Sequence, residues 1–221
     1  VGLFADAQQP DGYLNSHYTQ TGLENRWTNL RDMHELYCAG HLFEAAVAHY
    51  RATGSRTLLD VAARYADHID ARFGPAGSKS PDGRPKIPGY PGHEEIELAL
   101  VKLAEAIGEK RYLDLAAFFV NERGTEPHFF KQEAVRRGEP PEKRRHGAAD
   151  FPAPYAYTQA HKPVREQEAA EGHAVRACYL YAGMTDVARE TGDEELLGAC
   201  RRVFANIAER LMYLTGGVGS H

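Results

Sequence analysis

Three Gly-His pairs recur along this 221-residue chain, and each is followed by an amphipathic segment, a turn that contains glycine and a second amphipathic segment. The pairs are Gly40-His41, Gly92-His93 and Gly172-His173, and the turn glycines are Gly54, Gly108 and Gly192. A unit that recurs in register along a sequence indicates a repeating structural unit. We therefore predict helical hairpins, each of which places an imidazole at an equivalent position.

The apolar residues of each unit follow a helical period. In the second unit they recur at steps of three and four, the spacing of one helix face, at Ile96, Leu100, Leu103 and Ile107. A glycine directly after such a segment fits a helix C-cap, because glycine adopts the left-handed conformation at low cost. No stretch alternates at period two for long enough to indicate a strand. The predicted fold class is all-α, with paired helices at 41–53 and 56–73, 93–107 and 110–121, and 173–190 and 193–213.

Three hairpins form an open arc whose end faces need neighbours. Residues 1–9 have the composition of a helix interior, without a capping residue, and residues 215–221 have the composition of a glycine-rich turn. We expect residues 1–221 to be part of one larger helical domain, with further parts of the protein outside this chain.

The balance of charge excludes some partners. The chain has 26 Lys and Arg against 31 Asp and Glu, a net charge of -5, which argues against nucleic acid. The basic cluster at 143–146 is interpreted as a solvated loop. No apolar run is long enough to cross a membrane and no signal peptide is visible, so we predict no membrane partner and a cytoplasmic location.

The three cysteines, Cys38, Cys178 and Cys200, lie far apart and show no metal-binding spacing. Cys178 and Cys200 occupy apolar positions of predicted helices, where a free thiol acts as a small hydrophobic group. We expect both to be buried and inert. No metal ligand is assigned in this chain.

Residues 124–165 form the one long segment without clear periodicity. Its prolines are mixed with aromatic residues, which a disordered linker would lack, and long ordered loops are more often functional than not. We expect this loop, with segments 26–32 and 81–92, to lie on the Gly-His side of the repeat. Aromatic rings, amides and arginines beside histidines predict a carbohydrate pocket.

His41, His93 and His173 are the candidate substrate-binding residues. A helix N-terminus disfavours the imidazolium, and a neutral imidazole offers sugar hydroxyls one donor and one acceptor. The other histidines lack support from the repeat and are interpreted as surface or structural: His17, His34, His49, His68, His128, His146 and His161. The glutamates near the pairs are interpreted as solvated or structural carboxylates: Glu44, Glu94, Glu95, Glu97 and Glu171. No catalytic residue is assigned.

Six strings, in their order and spacing, resemble glycoside hydrolase family 127, the β-L-arabinofuranosidase-like family. They are QPDGYL at 9–14, RWTNLRD at 26–32, HELYCAGH at 34–41, PVREQ at 163–167, GHAVRA at 172–177 and MYLTGGVGS at 212–220. The likeness covers nearly the whole chain.

The resemblance implies an (α/α)6-barrel catalytic domain that hydrolyses β-linked L-arabinofuranosides with retention of configuration. Residues 1–221 are then part of that barrel, and the rest of the barrel and any β-sandwich domains lie outside this chain. It implies a cysteine thiolate nucleophile on a zinc ion held by three cysteines and a glutamate, a separate glutamate as acid/base, and a sugar subsite lined by histidines matching His41, His93 and His173. In the family the acid/base and the zinc ligands follow the string at 212–220. The resemblance therefore implies that this chain carries the substrate-binding half of the pocket and binds no zinc itself, and it allows a homodimer of the full-length protein.

Two other interpretations remain at this stage. A sugar epimerase or isomerase on the same type of barrel would use histidines as proton-transfer bases. A non-enzymatic helical-repeat scaffold would show variable surface residues at the Gly-His positions rather than the same pair three times. A downstream cluster of cysteines and glutamates would favour the hydrolase over the epimerase.

Overall fold

The computed structural model describes residues 1–141 and 153–219. The helices are α1 (Gly2–Ala7), α2 (Ser16–Thr21), α3 (Glu35–Thr53), α4 (Thr57–Arg72), α5 (Ile96–Ile107), α6 (Lys110–Glu122), α7 (Phe129–Arg136), α8 (Ala174–Thr191) and α9 (Glu194–Asn206), and a π-helical turn, Ile207–Leu211, extends α9. Among the described residues, β-type pairing is limited to three isolated bridges. The predicted all-α fold class is confirmed, with helical hairpins of the type that builds an (α/α)6 barrel.

The hairpins α3–α4, α5–α6 and α8–α9 form two layers. The first helices of the three hairpins are neighbours, because α5 packs against both α3 and α8. The return helices α4, α6 and α9 each pack against the first helix of their own hairpin, and α6 also contacts α4 and α8. The central position of α5 explains its composition: the buried residues from Ile96 to Ala104 cover more than one face, whereas a helix at a surface would bury only one stripe.

The predicted helix C-caps are confirmed in all three hairpins. Gly54, Gly108 and Gly192 each adopt a left-handed conformation, with φ of 73°, 83° and 68°. Each glycine N–H donates to the carbonyl four residues earlier, which closes the last turn of the helix.

The predicted helix starts are wrong in two of the three units. Helix α3 begins at Glu35, six residues before His41, because Leu36 and Ala39 extend its buried face upstream. Helix α5 begins at Ile96, three residues after His93. The carboxylate of Glu97 reaches back to accept the N–H of Glu95 at 3.1 Å and so caps the helix at that point. Only His173 lies directly at the head of its helix, as the N-cap residue of α8.

The segment 124–165 is not irregular throughout. It contains α7, whose residues Phe129, Phe130 and Ala134 are buried at helical spacing, and short 3-10 turns at Ala156–Thr158 and Val164–Glu166. The basic cluster at 143–146 lies outside the described residues. In the described part of the chain, no helix has both the length and the apolar character needed to cross a bilayer.

The cysteine prediction is correct for one residue and wrong for the other. Cys200 is buried in α9, but Cys178 is exposed, and so is Cys38. On α8 the buried stripe passes through Ala177, Leu180 and Met184, so Cys178 lies one position beyond it.

Candidate functional site

The three candidate histidines lie on or directly before three neighbouring helices, α3, α5 and α8. His41 lies in the second turn of α3, His93 in the turn before α5, and His173 at the head of α8. Because α5 packs between α3 and α8, these positions can meet although the sequence separates them by more than fifty residues.

Tyr37 and Tyr179 lie against two of the histidines, and the third histidine joins them through His93. The ring centroid of Tyr37 lies 4.4 Å from that of His41 and 4.2 Å from that of His93. Tyr179 lies 5.9 Å from His41 and 6.1 Å from His93, and His93 lies 6.2 Å from His173. The structure thus brings His41 and His93 together around two tyrosines and places His173 beside His93; we call these five rings the imidazole–tyrosine cluster.

The sequence did not reveal the role of Tyr37, Tyr179 or His34, whereas Tyr157 belongs to the aromatic loop predicted to lie beside the histidines. His34, interpreted above as surface or structural, lies 5.6 Å from His93, and Tyr157 lies 5.4 Å from His173. Tyr37 precedes His41 by one helical turn, so the two share a face of α3. That signal was available, but only if the helix had been predicted to start at Glu35.

The three glycines of the Gly-His pairs are needed for three different reasons. A Cβ on Gly40 would overlap the carboxylate of Glu95, and one on Gly92 would overlap the backbone carbonyl of Arg31. Gly172 has a φ of 88°, and a side chain there would meet the carbonyl of Ala156. In every unit the glycine of the repeated pair therefore allows close packing beside the cluster. The backbone conformation around it differs from unit to unit.

Burial keeps His93 neutral at physiological pH. Its Nδ1 lies 2.8 Å from the backbone carbonyl oxygen of Glu94, and because a carbonyl only accepts, Nδ1 carries the proton. Loss of solvent lowers the pKa of His93 to about 4, and it also lowers the pKa of His173, with the Arg176 charge acting in the same direction. Desolvation is the largest cause for both residues. The Nε2 atom of His93 is left as a hydrogen-bond acceptor.

The glutamates before and within α5 are buried, not solvated. Glu94 Oε1 lies 2.8 Å from Nη1 of Arg123, and Glu97 Oε1 lies 3.0 Å from its Nη2, and all three side chains are fully buried. Arg123 also donates to the backbone carbonyls of Pro91 and Thr158. Glu94 and Glu97 are thus structural: with Arg123 they fix the turn that carries His93.

A second carboxylate group lies against His41. The ligand atoms of His41, Glu44 and Glu95 all lie within 4.8 Å of one another, so the three could hold a metal ion. The prediction of no metal ligand in this chain did not include this group. Among the described residues no cysteine belongs to such a cluster. The described part of the chain therefore does not form the cysteine–zinc set that the resemblance implies.

Comparison with known proteins gives a consistent set of relatives. The family model of the GH127 β-L-arabinofuranosidase catalytic domain matches residues 1–221. A non-reducing end β-L-arabinofuranosidase of Bifidobacterium longum subsp. longum is 43% identical over 225 residues, which cover 100% of this chain and 32% of the relative.

Solved structures agree. A GH127 β-L-arabinofuranosidase from Geobacillus stearothermophilus T6 matches with a TM-score of 0.88 and 51% identity, over 99% of this chain and 32% of that one. A second GH127 β-arabinofuranosidase matches with a TM-score of 0.78 and 40% identity, over 100% of this chain and 31% of that one. This chain spans about a third of the length of these relatives.

Proposed function

We propose that this chain, which belongs to glycoside hydrolase family 127, the β-L-arabinofuranosidase family, supplies part of an active site. That part is the sugar-binding half of the site of a retaining β-L-arabinofuranosidase. In this proposal His41, His93 and His173 contact the furanose ring of a β-linked L-arabinofuranoside. The observation that supports it is the imidazole–tyrosine cluster, which gathers the three histidines from three separate hairpins.

The chemistry of the cluster suits a sugar. A neutral imidazole presents one donor and one acceptor, which matches a hydroxyl that both donates and accepts. The low pKa of His93 keeps its Nε2 as an acceptor at neutral pH. Tyr37 and Tyr179 are half-buried, so each keeps part of its surface open to a ligand. Aromatic faces of this kind pack against the C–H face of a sugar ring.

The chemical step needs groups that the family places beyond this chain. A retaining glycosidase needs a nucleophile and an acid/base group on either side of the anomeric carbon. In the family both follow the string at 212–220, so we assign no catalytic residue to residues 1–221. Zinc, in the family, lowers the pKa of the cysteine nucleophile. The described cysteines form no site for it, so no step at zinc is assigned to this chain.

The comparisons favour a hydrolase over an epimerase, because the named relatives are β-L-arabinofuranosidases. None of the relatives named above is an epimerase, so no observation on this chain supports that alternative. The scaffold alternative does not account for half-buried histidines of lowered pKa that face one another across hairpins.

Substitution of each histidine in the longer protein that carries this chain tests the proposal. We expect His41→Ala, His93→Ala and His173→Ala each to lower kcat/KM for an aryl β-L-arabinofuranoside by about 2–4 kcal/mol, or roughly 30- to 1,000-fold, since each removes a hydrogen bond in a desolvated site. His17→Ala, on the exposed face of α2, is the control and should change kcat/KM less than twofold. Three variants with unchanged kcat/KM would refute the assignment.

A further inference from the structure

The side chain of Glu95 is a buried carboxylate that the sugar site does not explain. It has no exposed surface, and among the described residues no donor reaches its oxygens; the side chain within hydrogen-bonding range is the carboxylate of Glu44, itself an acceptor when ionised. The carboxylate reaches the backbone of α3 at Gly40, where the missing side chain leaves the space it occupies. An ionised carboxylate buried without a partner is costly, so a compensating group is needed at this point.

Two potential ligands lie beside it on α3. His41 Nδ1 is 3.6 Å from Glu95 Oε1, and Glu44, three residues further along α3, brings its carboxylate to the same point. Lys102 of α5 donates to Oε1 of Glu44. This ammonium compensates one of the two negative charges and leaves the other without a partner.

We propose that His41, Glu44 and Glu95 bind a divalent cation between α3 and α5. The separation of 3.6 Å between the imidazole nitrogen and the Glu95 oxygen is too long for a hydrogen bond. It is close to the spacing of about 3.4 Å between two ligands of a tetrahedral ion with bonds of about 2.1 Å. The bond from Lys102 to one Glu44 oxygen is the outer contact that orients a ligating carboxylate, while the other oxygen remains for the ion.

The donor set indicates the kind of ion. One imidazole nitrogen and two carboxylates suit Zn²⁺, Mn²⁺ or Co²⁺, whereas Ca²⁺ prefers six or more oxygens and Cu⁺ prefers sulfur. The site contains no cysteine, so its donors differ from the three cysteines and one glutamate that the resemblance implies for zinc.

A shared proton is the competing explanation. One proton between Glu44 and Glu95 would satisfy one oxygen of each carboxyl group, but it would leave the approach of His41 Nδ1 unexplained. The cation accounts for all three groups. It would also engage Nδ1 of His41 and leave Nε2–H for a ligand in the cluster, although the proposal does not depend on the sugar-binding role.

Titration with Co²⁺ and Mn²⁺ distinguishes a bound cation from a proton shared by Glu44 and Glu95. The 221-residue chain, dialysed against chelator, should take up one Co²⁺ with weak visible d–d bands and without the intense near-ultraviolet band of a cobalt–thiolate bond. Excess Mn²⁺ should raise its Tm by several degrees, since the ion binds the folded state. Glu95→Gln, Glu44→Gln and His41→Ala should each weaken Co²⁺ binding at least tenfold. Glu105→Gln, a partly exposed glutamate of α5, should not.

Each opposite result overturns the proposal. Absence of stoichiometric Co²⁺ uptake, or uptake that survives Glu95→Gln, would show that these groups do not bind a cation. A thiolate band would place the ion on cysteine. A Glu95→Gln variant that is more stable than the parent at high pH, with no effect of Mn²⁺ on either, would establish the shared proton. If Glu95→Gln does not fold, Glu44→Gln decides, because Glu44 is partly exposed and tolerates substitution better.

Discussion

At the scale of the residue, the position of His68 shows how hydrogen bonding fixes a charge state. Its Nε2 lies 3.3 Å from Nε1 of the Trp27 indole, and its Nδ1 lies 3.0 Å from the backbone carbonyl oxygen of Asp11. An indole N–H only donates and a carbonyl only accepts, so His68 must accept at Nε2 and donate at Nδ1. Only the neutral ring can do both.

This geometry predicts a pH dependence of stability. Burial lowers the pKa of His68 from 6.5, opposed by the Asp11 carboxylate and helped by Arg26 and Arg72. As the pH falls, His68 is therefore protonated in the unfolded chain before it is protonated in the folded chain. Its contribution to stability is complete above pH 6.5 and is lost as the pH falls toward the pKa of the folded state. We expect urea midpoints of the parent to decline over this range. His68→Gln keeps a donor and an acceptor without a titratable ring and should show a shallower decline; an identical slope would contradict the assignment.

Gly40 gives a second prediction at this scale. A Cβ there would overlap the Glu95 carboxylate and crowd the Cα of Ile96, and the backbone of Ile96 cannot move away easily. We expect Gly40→Ala to destabilise the chain by about 1–3 kcal/mol through overpacking, measured by urea unfolding. Gly198→Ala is the matched control, since the nearest atom to a Cβ there is 3.7 Å away. The control should be neutral or stabilising by up to about 1 kcal/mol. Equal effects at both sites would mean that α3 and α5 do not meet at Gly40.

At the scale of the element, Arg123 joins three segments. It follows the last residue of α6 and is fully buried. Its guanidinium pairs with Glu94 and Glu97 and donates to the carbonyl of Thr158, so the end of α6, the start of α5 and the loop before α8 share one charged group. The turn that carries His93 depends on this arrangement.

Removing Arg123 should therefore be costly. We expect Arg123→Met to destabilise the chain by about 3–5 kcal/mol, because Glu97 would lose its buried cation and Glu94 would keep only the charge of Arg176. Arg111→Met removes an exposed arginine of α6 that pairs with Asp67 and should cost less than about 1 kcal/mol. Urea unfolding of both variants measures the difference. A cost for Arg123→Met as small as that of the control would show that the buried network contributes little.

At the scale of the whole molecule, the layer of α3, α5 and α8 assembles the site. No single hairpin contains the imidazole–tyrosine cluster, because His41 and Tyr37 come from α3, His93 from the turn before α5, and Tyr179 from α8. Large apolar side chains are exposed near both ends of the described chain, at Leu3, Phe4, Phe204 and Leu214. In the relatives, about two thirds of the length lies beyond the region that this chain matches.

This division predicts the activity of the chain by itself. We expect residues 1–221 to release no arabinose from an aryl β-L-arabinofuranoside, with or without added zinc, and to bind no zinc through cysteine, since the family places its acid/base and zinc ligands after the string at 212–220. A polypeptide extended past residue 221 with those groups should turn the substrate over. Turnover by the chain alone would place the catalytic groups within these residues.

The sequence by itself determined the hairpins. The apolar period of three and four fixed the inner face of each helix, and Gly54, Gly108 and Gly192 fixed the helix ends, since both depend on residues within a few positions of one another. The order of motifs also predicted the family, and the repeated Gly-His pairs predicted that the three histidines would lie together.

Only the tertiary structure decided what surrounds those histidines. The contact between Tyr37 and His93, the burial of Glu95 against Gly40 and the pairing of Arg123 with Glu97 each join residues on different helices. A glutamate beside a helix start has the same local sequence whether water or another helix lies next to it. Its role is set by the approach of the neighbouring helix, and a local period carries no information about that approach.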